Sequence, residues 1–194
     1  MGSNRNTVIR SMHDVGLSAW FGGALMGAVG VNGAAADVDK PTERSSVASA
    51  GWGKWSPVST AAIAAHLIGG TGLLIAQRKR VRDQPGAMAN TIAKTAITGA
   101  ALAATAYSGV LGTKIAAAGP VPVEGATEPS SDTTTEVATA QRQLRVLQWA
   151  IPLLTGVLVI LGAQQGEQQR PPRGLRLITH ATKNDPLRLA RRLG

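Results

Sequence analysis

Residues 58–77 read VSTAAIAAHLIGGTGLLIAQ, a run in which His66 is the only ionisable side chain. At 1.5 Å per residue, roughly 20 residues cross the 30 Å hydrocarbon layer of a bilayer. Three other runs have the same character. Residues 15–36, VGLSAWFGGALMGAVGVNGAAA, carry no charge, and residues 144–163, LRVLQWAIPLLTGVLVILGA, hold only Arg145 at one edge. Residues 92–119 are interrupted by Lys94 near one end and Lys114 near the other. The expected fold is all-α, a four-helix transmembrane bundle. The first and third runs are rich in Ala and Gly, so their insertion should depend on their neighbours.

Composition points the same way. Hydrophobic residues make up 44% of the 194, yet aromatics only 3%, with one Phe and one Tyr. A water-soluble core draws much of its buried area from aromatic side chains. Small residues instead suit helices that approach closely in lipid. Cysteine is absent, which excludes disulfides, thiolate metal sites and Cys nucleophiles. The Ala, Gly and Arg bias is that of a high-GC bacterial genome.

The net charge of +9 raises the question of nucleic acid. No basic groove with interleaved aromatics supports it, and the distribution of charge has a better reading. Arg5 and Arg10 precede the first span; Arg78, Lys79, Arg80 and Arg82 follow the second; seven more Lys and Arg lie beyond residue 169. Thirteen of the 20 basic residues thus fall on one side of the bilayer. Between the third and fourth spans, residues 120–140 hold no basic residue and four acids: Glu124, Glu128, Asp132 and Glu136. The positive-inside rule then puts both termini in the cytoplasm of a multi-pass protein of the bacterial plasma membrane. The divisions are an N-terminal segment (1–14), spans at 15–36, 58–77, 92–119 and 144–163, and outer connectors at 37–57 and 120–143. A basic inner loop (78–91) and a basic tail (164–194) complete them. The basic clusters should meet anionic lipid headgroups.

Finer features carry their own expectations. Ala34-Ala35-Ala36 resembles a signal-peptidase site, but the apolar run before it exceeds the 7–15 residues usual for a signal core, so retention is expected. PVPVEGATEPSS (120–131) has little to bury and reads as disordered. Thr133-Thr-Thr-Glu136 reads as a capping box that starts the fourth helix some way outside the membrane. Pro152 should kink that helix. The tail after Arg170 reads as a cationic surface segment. Met12-His13-Asp14 reads as the start of the first helix, with Asp14 favoured by the helix dipole. Trp52 and Trp55 read as interface anchors.

Gly23 and Gly27 form a GxxxG with Gly30 one turn on, and Gly69 and Gly70 supply small residues to the second span. Such strips let helices pack closely, within the bundle or across a homodimer seam. His66 lies near mid-membrane, where ionisable groups are rare and often functional. The simpler reading is a neutral imidazole bonded to Thr105, Tyr107 or Thr155 and lodged opposite Gly23 and Gly27; the sharper one is a weak candidate for a cofactor or lipophilic-ligand pocket. His13, the other histidine of the membrane part, falls roughly 15 Å away along the membrane normal by helical rise, too far to share a haem iron. No metal or cofactor is expected.

His13 to Ala36, with Trp52-Gly-Lys-Trp55 before the second span, resembles uncharacterised four-helix membrane proteins of high-GC Gram-positive bacteria. A Trp-x-Gly-Gly element (Trp20, Gly22, Gly23) and the topology are similar to DoxX-like bundles. Neither resemblance implies an activity. The leading expectation is a non-enzymatic component that packs with, anchors or helps assemble a membrane partner or its own copies. The alternative is a small membrane oxidoreductase or carrier subunit with a pocket near His66.

Overall fold

The computed structural model describes residues 3–168. Among them the chain is helical apart from short connectors and one bridge. Helix α1 (Ser3–Met26) continues through a π-helical turn (Gly27–Val31) into α2 (Asn32–Ala36). Then come α3 (Pro41–Asp83), α4 (Pro85–Ala117) and α5 (Thr135–Gln168). Four stretches are long and apolar enough to cross a membrane: Asn6–Ala36, Pro41–Lys79, Pro85–Ala117 and Thr135–Gln164. One compact unit ends at Leu161; of a second unit, only the helical residues up to Gln168 are described. The basic tail beyond them lies outside the described residues.

The helices overrun the apolar runs. His13 lies ten residues inside α1 rather than at its start, because the turn before it packs on α3, where Ile9 lies against Gly69 and Gly72. Residues 37–57, expected as a connector, are helical from Pro41 onward. Proline suits the first helical turn, where its missing N–H has no partner to lose, and Glu43 opposes the positive end of the dipole. The basic quartet is not in a loop either. Arg78, Lys79, Arg80 and Arg82 sit on the last turns of α3, where cations complement the helix C-terminus. The chain turns at Gln84 alone, extended at φ −123° and ψ 107° as the residue before a proline should be.

The π turn solves a facing problem. Gly16, Trp20, Ala24, Ala28 and Asn32 are all buried, at steps of four. In a 3.6-residue helix four such steps drift by about 160°, which would aim Asn32 almost opposite to Gly16. One wider turn, with the Asn32 amide donating back to the Gly27 carbonyl, removes much of that drift.

Residues 118–134 are folded, contrary to the expected disorder. Gly119, at φ 72°, ends α4 in the left-handed conformation that glycine tolerates. Val123 is fully buried and bridges to Pro129. Composition misled because side chains elsewhere supply the order. Gln141, itself 0% exposed, donates to the Gly125 and Ala126 carbonyls, and Arg44 donates to those of Val38, Val123 and Glu124. The capping-box reading fails for a related reason. Thr133 donates to the Pro122 carbonyl and accepts from the Ser130 amide, so it ties the loop rather than the helix. Glu136 pairs with Lys114 across α4 and α5 at 3.0 Å.

Three apolar clusters hold the bundle. Trp20, Ala24, Ala101 and Ile151 join α1, α4 and α5, with Ile63 of α3 against them. Leu111, Ile115, Val137 and Ala140 join α4 to α5 alone. Ala35, Ala48 and Ala126 seat the loop on α2 and α3.

Candidate functional site

The antiparallel pair α1/α3 carries the same four-residue pattern twice: His13-Asp-Val-Gly16 and His66-Leu-Ile-Gly69. Each glycine lies against the backbone of the other helix. A Cβ on Gly16 would stand 2.6 Å from the His66 amide nitrogen, and one on Gly69 2.5 Å from that of His13. No side chain fits at either position, so the two backbones touch. That approach brings the two imidazoles face to face, with centroids 4.1 Å apart and planes at 20°. Each ring bonds the other residue's main chain: His13 Nδ1 to the His66 carbonyl and His66 Nδ1 to the His13 carbonyl, both at 3.1 Å. A carbonyl only accepts, so each Nδ1 is the donor.

This corrects three expectations. The histidines are neighbours, not some 15 Å apart, because α1 starts earlier than its apolar run and α3 pairs with it in that longer register. His66 is buried at 3% exposure, but opposite Gly16 and His13 rather than opposite Gly23 and Gly27. Its expected hydroxyl partners are engaged elsewhere. Thr105 donates to the Ala101 carbonyl and accepts from Trp20 Nε1, Tyr107 donates to Gln143, and Thr155 donates to Ile151. The stack does not suit a shared haem: axial imidazoles meet iron nitrogen-first from opposite sides, not face to face. No group of three or more His, Cys, Asp or Glu among the described residues could hold a metal ion.

Gly23 and Gly27 receive indoles. A Cβ on Gly23 would meet the Trp55 ring, and one on Gly27 the Trp52 ring. Trp52 and Trp55 are therefore half-buried knobs of α3 in a groove of α1. The GxxxG is taken up inside the chain, which removes it as a homodimer seam. Gly30 faces the Met26 side chain of its own helix, while a Cβ on Gly70 would lie 3.2 Å from Nδ1 of the His13 ring.

Above these contacts a cavity of about 420 Å³ opens between α3 and α4, within the usual range for small-molecule sites. Its back wall is aromatic, with Trp20, Trp52 and Trp55 beside Ile151. Trp52 Nε1 donates to Asn32 Oδ1 at 2.9 Å, and Asn32 Nδ2 donates to Gln148 Oε1 at 2.7 Å, so that corner is a closed polar network. Hydroxyls line the rest, among them Ser45, Ser49, Ser59, Thr60, Ser108 and Thr113. Two differ from the others: the Oγ atoms of Ser45 and Ser108 are buried without a hydrogen-bond partner. No charged side chain is among the described residues of the wall. Neither histidine lines it; Trp20, which does, stands at an angle of 62° to the His66 ring with centroids 6.2 Å apart.

Reasoning from sequence missed this cavity. The only available signal was the density of Ser, Thr and Gly at one-turn spacing along 45–60 and 105–113. Gly53 and Gly109 add open flanks, with nothing within 4 Å of where a Cβ would lie. No protein-family model, curated protein or solved structure matches the chain.

Proposed function

We propose that the protein is a multi-pass, non-enzymatic component of the bacterial plasma membrane that holds a lipid-soluble small molecule between α3 and α4. Both termini and the turn at Gln84 face the cytoplasm, with the exposed Arg78, Lys79 and Arg82 among anionic headgroups. The observation that carries the ligand reading is the Ser45 hydroxyl, 6% exposed and unpartnered on the wall of a roomy cavity. A buried polar atom without a partner is costly, the more so in lipid, and a bound polar group relieves that cost. The described residues of the wall are hydroxyls, indoles, amides and aliphatic groups, a lining suited to holding a small molecule.

The test is mild-detergent purification from the protein's own membranes, then native mass spectrometry and solvent extraction. One retained molecule per chain is expected, reduced in Ser45→Ala. Retention of nothing, or of the bulk lipid mixture unaltered by that substitution, overturns the reading.

A further inference from the structure

Two prolines interrupt the spanning helices, Pro57 in α3 and Pro152 in α5. Each lacks the N–H that would bond the carbonyl four residues earlier. Those carbonyls belong to Gly53 and Gln148, and both residues line the cavity. Pro57 and Pro152 thus each withdraw one helical donor from the main chain of a residue that lines the cavity.

The hydroxyls sort in the same way. Thr60 and Thr113 donate to carbonyls of their own helix, those of Ser56 and Val110, and so present only lone pairs to the cavity. Ser45 and Ser108 have donated to nothing. The wall therefore offers lone pairs at Thr60 and Thr113 and hydroxyls still able to donate, with Ser45 and Ser108 the two buried ones, and no charge among its described residues. A carbonyl compound such as a quinone would use the donors and leave the acceptors unmet. An anionic headgroup would sit among lone pairs with no cation to offset it. A hydroxylated head both donates and accepts, and meets both kinds of atom.

The shape adds a second constraint. Outward of Ile63, no apolar cluster joins α3 to α4. Gly53, Ser56 and Thr60 on one side and Gly109 and Thr113 on the other are exposed along the helix flanks. At Gly53, Gly109 and Gly112 a Cβ would meet nothing within 4 Å, so packing does not require glycine there. A side chain at these positions would narrow the opening.

Resting on the binding reading above, we propose that the ligand is an uncharged lipid with a hydroxylated head. The head lies against Ser45 and the Trp52 network, and the hydrocarbon chain leaves between α3 and α4 past Gly53 and Gly109. The closing experiment uses the delipidated full chain in detergent, with binding read by native mass spectrometry. The probes are dioleoylglycerol, dibutyrylglycerol, a menaquinone and dioleoyl phosphatidylglycerol. Dioleoylglycerol should bind, at least tenfold more tightly than the quinone or the anionic lipid. Gly109→Leu with Gly112→Leu should weaken dioleoylglycerol at least tenfold and leave dibutyrylglycerol, whose chains are too short to reach the opening, unchanged. Ser45→Ala should weaken both glycerides. Preference for the quinone or the anionic lipid overturns the head assignment while the cavity stands as a site. Equal binding of dioleoylglycerol by the leucine variant overturns the exit path. Failure of every probe, with the cavity holding water only, overturns the inference together with the reading on which it rests.

Discussion

Replacing Gly16 by alanine adds one methyl group where the backbones of α1 and α3 touch. The new Cβ would lie 2.6 Å from the His66 amide nitrogen and nearer still to the Ala62 carbonyl oxygen. Both are main-chain atoms, so neither rotates away. Carbon contacts settle near 3.5 Å, and the helices must therefore separate by roughly 1 Å. The two reciprocal histidine bonds, each 3.1 Å, would then stretch to about 4 Å, beyond hydrogen-bonding range. Losing them costs about 0.5–1.5 kcal/mol each. The opened ring stack adds on the order of 0.5–1 kcal/mol. The expected destabilisation is about 1.5–4 kcal/mol by these sums. The assay is unfolding in mixed micelles with rising dodecyl sulfate, followed by far-UV circular dichroism and Trp fluorescence. Gly109→Ala is the control, since a Cβ there meets nothing within 4 Å, and it should change stability by no more than about 0.5 kcal/mol. Equal midpoints for the two variants would refute the claim that the glycines of the repeated pattern set the helix spacing.

Three further outcomes follow from the same contacts. His66→Leu takes the Nδ1 donor from the His13 carbonyl and removes the ring stack, while His13 Nδ1 keeps the main-chain carbonyl of residue 66; it should cost about 1–2.5 kcal/mol in the same titration, and no loss would show that the reciprocal pair is incidental. Gln141→Leu removes both bonds that hold the Gly125 and Ala126 carbonyls, so amide exchange in 120–131 should quicken at least tenfold while that of α4 is unchanged. The chain has no cysteine, so single substitutions at the exposed Ser46, Ser131 and Gln84 report sidedness to an impermeant thiol reagent; intact cells should label the first two only, and strong labelling at Gln84 inverts the topology.

The spans were legible because hydropathy needs no partner to be read. Four runs of the right length announced four helices, and the absence of charge in 15–36 located the first of them. What escaped was register. Apolar windows mark where a helix meets lipid, whereas α1 and α3 continue into polar sequence, and the vertical position of His13 against His66 depends on those extra turns. An error in helix start shifts every cross-helix pair, so Gly23 and Gly27 were matched to the wrong partner. The loop at 118–134 escaped for another reason. Its order comes from Arg44 and Gln141, residues remote from it in sequence, which no local composition reveals. The cavity belongs to no single stretch of sequence: α1, α2, α3, α4, α5 and the 118–134 loop all contribute to its wall.

The repeated His-x-x-Gly pattern also bears on how the chain enters a bilayer during synthesis. The first span is only weakly apolar, with a window hydropathy of 1.3 against 2.0 for the last, and would partition poorly by itself. Its glycines and His13 fit against α3 alone, so its partner is the next helix to leave the ribosome. The hairpin of α1 and α3 can therefore close, with its backbone contacts and histidine bonds complete, before α4 has been made. In that order of events α4 and α5 assemble against a surface that already exists.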